Sequence, residues 1–167
     1  MSASPENRPA KRRLGKGQRL DRENPPKTQP AERRQVGALP FRRTPSGEIE
    51  VLLITSRETG RFIIPKGWPM KRLSDPDAAA REAYEEAGVI GKIQRRPFGD
   101  YLYWKRLARS FELLMVDVYA LEVRKQRPDW PEKGSRKSGW VSVADAATLV
   151  DEPGLVALLG KFSSALA

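Results

Sequence analysis

Three glutamates fall within five positions of one another in the stretch REAYEEAGV, Arg81 to Val89. On a helix, Glu82, Glu85 and Glu86 stand at i, i+3 and i+4, so their carboxylates project from one side of about one turn. Like charges so placed destabilise a helix by about 0.2–0.5 kcal/mol per pair, and Arg81, four residues before Glu85, can neutralise only one of them. A magnesium or manganese ion resolves the conflict, because hard cations take several oxygen ligands and leave room for water and substrate phosphate. The spacing points to a carboxylate metal site in a chain whose formal net charge is +10.

Composition removes the main alternatives. The chain has no cysteine and no histidine, which excludes disulfides, thiol nucleophiles, imidazole metal ligands and Ser-His or Cys-His catalysis. Carboxylates, lysines and tyrosines remain for proton chemistry. The longest aliphatic runs, such as VLLI and LLMV, are too short to span a bilayer. A soluble, cytoplasmic protein without membrane association is expected.

The elements that must position the acids follow from turn and cap chemistry. QVGALPFRR and EIEVLLITS, separated by the turn TPSGE, predict a β-hairpin, and RFIIPKGW predicts a third strand ended by Pro65 and Gly67. A helix over about 75–87 follows: Ser74 or Asp75 caps it, Pro76 suits its first turn, Asp77 favours its dipole and Gly88 supplies a left-handed stop. VIGKIQRR, FGDYLYW and the long SFELLMVDVYALEV read as strands. A polar loop then leads to WVSVADAATLV, a strand turning into a short helix, and GLVALLGKFSSALA closes the chain as a C-terminal helix. The expected class is mixed α/β. Residues 1–34 hold ten Lys/Arg against four Asp/Glu, with five prolines and no aromatic. Residues 1–31 are therefore expected to be a disordered basic tail, either an arm for nucleic acid or a solubilising extension, ahead of one domain over 32–167.

From Gly67 to Val89 the sequence GWPMKRLSDPDAAAREAYEEAGV resembles the Nudix box, G-x5-E-x7-R-E-U-x-E-E-x-G-U with U a bulky aliphatic. Gly67, Arg81, Glu82, Glu85, Glu86, Gly88 and Val89 match in register, a coincidence with a chance on the order of 10⁻⁸ from average residue usage. Ala83 is small for its aliphatic position, and Leu73 replaces the first glutamate. The resemblance implies an αβα sandwich and hydrolysis of a diphosphate linked to some group X, with Mg²⁺ or Mn²⁺ as cofactor. It implies Glu82, Glu85 and Glu86 as metal ligands, with Glu82 also deprotonating or orienting the attacking water. A backbone carbonyl of Lys66 or Gly67 is a further expected ligand. The family's first glutamate supports the box through its arginine, here Arg81, which another acid must then orient.

Substrate is a separate expectation. FIIPKGWP and the wider pattern over residues 32 to about 147 resemble the hydrolases of diphosphoinositol polyphosphates and diadenosine polyphosphates. A phosphate-rich ligand needs cationic groups away from the metal, and Arg33, Arg34, Arg57, Lys66, Lys105, Arg106, Arg109, Arg136 and Lys137 are the candidates. Trp104, Trp130, Trp140 and Tyr103 are candidates for stacking on a base, and Asp129 or Glu132 for an additional metal ligand or base. Nucleoside triphosphates, nucleotide sugars and RNA 5′ ends remain alternative substrates, and a non-catalytic binding module is the alternative of another class.

Overall fold

A computed structural model of the chain describes residues 33–166; the expected tail, residues 1–31, lies outside them. The elements in chain order are β1 (Arg34–Arg43), β2 (Ile49–Thr55), β3 (Phe62–Ile63), β4 (Lys66–Gly67), α1 (Asp75–Ala87), β5 (Val89–Ile93), β6 (Gly99–Arg106), β7 (Phe111–Gln126), β8 (Ser138–Ser142), α2 (Val143–Leu149) and α3 (Pro153–Leu166). They form one mixed sheet with β1 and β7 parallel at its centre. The hairpin expected around TPSGE is present, with Phe41 opposite Val51. The third strand is not continuous as expected. It divides into β3 and β4 around Pro65, whose carbonyl accepts from the Ala38 amide at 2.9 Å. Proline has no N–H to carry a ladder through that point.

Alternation along the central strands gives the sheet two apolar faces. Val36, Ala38, Leu52, Ile54, Tyr119 and Leu121 bury one face against Ala78, Ala79, Ala83 and Ala87 of α1. Leu39, Phe41, Val51, Leu53, Val116 and Val118 bury the other against Leu155, Leu158, Leu159 and Phe162 of α3. The result is the αβα sandwich that the resemblance to the Nudix box implied. The alanine face matters for function, since a helix lined with methyl groups can lie close to the sheet and present its acidic turn to the strand ends.

The limits of α1 have local causes. Ser74 is extended at the N-cap and accepts from the Asp77 amide, and Pro76 occupies the first turn. At the other end Gly88 has φ 70° and its amide reaches the carbonyls of Ala83 and Tyr84, a left-handed cap that glycine adopts without steric cost.

Candidate active site

A cleft of about 510 Å³ opens where α1, β4 and the loops after β2 and β7 meet. Glu82 and Glu86 enter it from α1, and Lys66 and Gly67 from β4. The Glu82 carboxylate lies directly against Gly67, because a Cβ at that position would meet Glu82 Oε1 at 2.1 Å. Glu86 is 7% exposed, accepts from the Lys66 amide at 3.1 Å and pairs with Arg136.

The three glutamates do not converge as the helical spacing implied. Glu82 and Glu86 line the cleft, whereas Glu85 pairs with Arg81 along the outside of α1. Among the described residues no three acidic groups stand ready to grip an ion. Arg81 thereby has an acid, as the loss of the first box glutamate required, but that acid is Glu85 itself. Leu73 lies over an apolar groove with Ala80, Tyr84 and Ile90 on the far side of the helix.

The electrostatics of the acids nonetheless suit a cation. Burial raises the Glu82 carboxyl above its ordinary range, and the charges of Glu85 and Glu132 raise it further. Burial pushes Glu86 up to about 7 against the opposing charge of Arg136. Two carboxylates whose ionisation is resisted by desolvation and by neighbouring acids form a hard-oxygen donor set that a divalent ion would relieve, and Gly67 leaves it space.

The cationic candidates divide. Arg57, Lys66, Lys105 and Arg106 line the cleft. Arg136 also borders it, but its side chain is 8% exposed and committed to Glu86, to Glu132 at 2.7 Å and to the Thr55 carbonyl at 3.0 Å, so it serves the acids rather than a free phosphate. Arg34 is spent on Asp117 and on Asp75 at 2.6 Å, joining β1, β7 and the start of α1. Arg33 pairs with Glu112 at 3.0 Å, and Arg109 and Lys137 are exposed outside the cleft. Charge alone marks these positions in the sequence, and it carries no information about the acids that folding brings beside Arg33, Arg34 and Arg136.

Among the aromatics, Trp104 and Tyr103 line the cleft. Tyr103 donates to Gln35 Oε1 at 2.6 Å, and burial together with the charge of Glu152 pushes its hydroxyl up to about 12. Trp130 instead packs on Gly88, and Trp140 lies under Arg42 at 4.3 Å and donates to Gln126. Asp129 lies beside Trp130 in a separate surface depression, whereas Glu132 reaches the cleft and meets Arg57 at 3.4 Å. Sequence reasoning missed Arg61, Trp68 and Phe111, all in the cleft wall. Trp68 and Phe111 are 45% and 67% exposed. An aromatic flanking a P-K-G run was the available signal for Trp68; nothing local singled out the other two.

Known proteins resemble this chain in sequence and in fold. A protein named Nudix hydrolase 21, chloroplastic, from Arabidopsis thaliana is 36% identical over 121 residues, covering 70% of this chain and 59% of that protein. Diphosphoinositol polyphosphate phosphohydrolase 2 of Rattus norvegicus is 38% identical over 102 residues, 59% of this chain and 53% of that protein. The chain thus spans between about half and two thirds of the length of the first curated relatives it matches. The crystal structure of a C. elegans Ap4A hydrolase covers 81% of this chain and 98% of its own with TM-score 0.57 at 24% identity, a likeness of fold. The model of the NUDIX domain matches residues 31–159, and the chain belongs to that family.

Proposed function

We propose that this protein is a Mg²⁺- or Mn²⁺-dependent pyrophosphohydrolase that cleaves a phosphoric anhydride bond in a polyphosphorylated small molecule, a diphosphoinositol polyphosphate or a diadenosine polyphosphate. The observation that carries the reading is the Glu82 carboxylate seated against Gly67 in a cleft whose wall also presents Arg57, Arg61, Lys66, Lys105 and Arg106. The names of the rat relative and of the C. elegans neighbours join phosphate-dense small molecules to this fold.

Nudix hydrolases generally use a divalent metal, and Glu82, Glu86 and a backbone carbonyl of Lys66 or Gly67 would hold it here, with Glu85 available once it leaves Arg81. When bound, such an ion neutralises phosphate oxygens and acidifies water. Glu82 orients the attacking water and takes its proton as the water oxygen bonds to phosphorus and the anhydride P–O bond breaks. Arg136 keeps Glu86 in place. The wall cations hold the remaining phosphates, which is most of what phosphoryl transfer requires of a protein.

Anhydride cleavage should be measured, by chromatography of the phosphorylated products, with Mg²⁺ and with Mn²⁺ on diadenosine penta- and hexaphosphate, an inositol pyrophosphate, the nucleoside triphosphates, ADP-ribose and 5′-triphosphorylated RNA. Preference for the first two classes is the expected result. Preference for the RNA, lost on removing residues 1–31, would replace it, and no metal-dependent turnover would leave a binding module.

A further inference from the structure

Glu152 has no part in the chemistry above, yet it is 7% exposed at the junction of α2 and α3. Its Oε1 accepts from Arg61 Nη1 at 3.0 Å, while its Oε2 is buried with no partner among the described residues. A carboxylate taken from water with half its acceptor capacity unused is costly unless a cation compensates it. Arg61 is that cation, with Asp151 at 3.8 Å as a second, exposed acid.

Arg61 is held from its other side as well. Its Nε donates to Thr59 Oγ1 at 3.2 Å, within a turn closed by the Gly60 amide on the Ser56 carbonyl at 3.0 Å, where Gly60 has φ 68°. Neither the Glu152 nor the Thr59 bond uses Nη2, and the side chain is 36% exposed in the wall of the cleft that also contains Lys66. The negative charge of Glu152 extends to the same floor. After burial, it is the next cause raising the Tyr101 and Tyr103 hydroxyls.

We propose that Arg61, fixed by Glu152 beneath it and Thr59 beside it, is a phosphate-binding subsite of the cleft, with Glu152 as its positioning residue. A guanidinium whose rotamer is already set loses little freedom when it takes up an anion, and its planar fork suits phosphate oxygens. Glu152 contributes by orienting Arg61, not by touching the ligand. This rests on reading the cleft as a polyphosphate site but not on hydrolysis.

The test separates the two. Inorganic tripolyphosphate is titrated calorimetrically into the full chain at low salt with a chelator present. Arg61→Met is expected to weaken binding about tenfold, and Arg61→Lys to recover part of that loss. Glu152→Gln, which keeps the shape and removes the charge, should weaken it about threefold. Arg42→Met removes an arginine paired with Glu50 at 2.7 Å outside the cleft and should change nothing. With a turned-over substrate, Glu152→Gln should raise KM while kcat stays within about twofold. Tripolyphosphate binding that is unchanged in Arg61→Met, or no weaker than in Arg42→Met, overturns the subsite even if the protein hydrolyses its substrate. Binding lost in Arg61→Met in a chain that turns over nothing supports the subsite and overturns only the hydrolase reading.

Discussion

Replacing Gly67 with alanine should damage catalysis far more than folding. The new Cβ would stand 2.1 Å from Glu82 Oε1, 2.2 Å from its Cδ and 2.7 Å from Oε2. Carbon and oxygen in ordinary contact stay near 3.4 Å, so the carboxylate must withdraw by roughly 1 Å, a misplacement that can cost on the order of 10²-fold in rate. The displaced atoms end a flexible side chain, and the Gly67 backbone is not in the left-handed region, so stability should change by no more than about 1 kcal/mol. The assay is kcat/KM on the best substrate of the panel, with a thermal melt on the same preparation. Gly139→Ala, whose Cβ would meet nothing within 4 Å, is the control. Activity within about threefold of the unsubstituted protein, at unchanged stability, would refute the idea that the Gly67 surface sets the position of Glu82.

Glu82→Gln should lower kcat at least ~100-fold while leaving the melt unchanged, since a half-buried ligand position accepts an isosteric amide; near-normal turnover would move the proton acceptor elsewhere. Arg136→Met should cost about 3–5 kcal/mol in urea titrations at about pH 9 with a chelator present, where Glu86 is ionised, because both side chains of the Arg136–Glu86 pair are 8% exposed and Glu86 would be left uncompensated. Adding Glu86→Leu to that variant should recover most of the loss, and a single-variant cost below about 1 kcal/mol would show that Arg136 is not the counter-ion. Ala83→Leu, which supplies the bulky residue of the Nudix box, should destabilise by about 1–3 kcal/mol, because Ala83 is fully buried between α1 and the sheet; a neutral or stabilising effect would mean that α1 can move outward.

Local chemistry was legible in the sequence and long-range pairing was not. Ser74, Pro76 and Gly88 placed α1 at its observed limits because caps act within one turn. TPSGE marked a hairpin for the same reason. The break at Pro65 was visible only as a strand end, since the continuation of β4 depends on pairing with β1. The roles of Arg34 and Arg136 could not be read at all: Asp117 and Glu86, the acids that define them, lie 83 and 50 residues away and become neighbours only when the chain folds. Helical spacing set Glu82, Glu85 and Glu86 on one side and offered Arg81 to Glu85 at i+4, but it could not show that this pair would lie along the outside of α1 while Glu82 and Glu86 line the cleft. Glu152 sits in an unremarkable DEPG step, and only the fold reveals that it lies beneath Arg61.

The loop between β7 and β8 has almost no regular structure, yet it is fastened to the end of α1 at three points. The Arg127 amide donates to the Gly88 carbonyl at 2.8 Å, the Glu132 amide donates to the Glu85 carbonyl at 3.0 Å, and the Trp130 ring fills the space above Gly88. Loop and helix end should therefore open as one cooperative unit, with the Arg127 and Glu132 amides exchanging hydrogen on the timescale of the last turn of α1 rather than on that of a surface loop. A change that loosens Trp130 would then free Glu132, Arg136 and the acidic turn together, so damage to a residue outside the cleft would be felt as the simultaneous loss of its acids and their counter-ion.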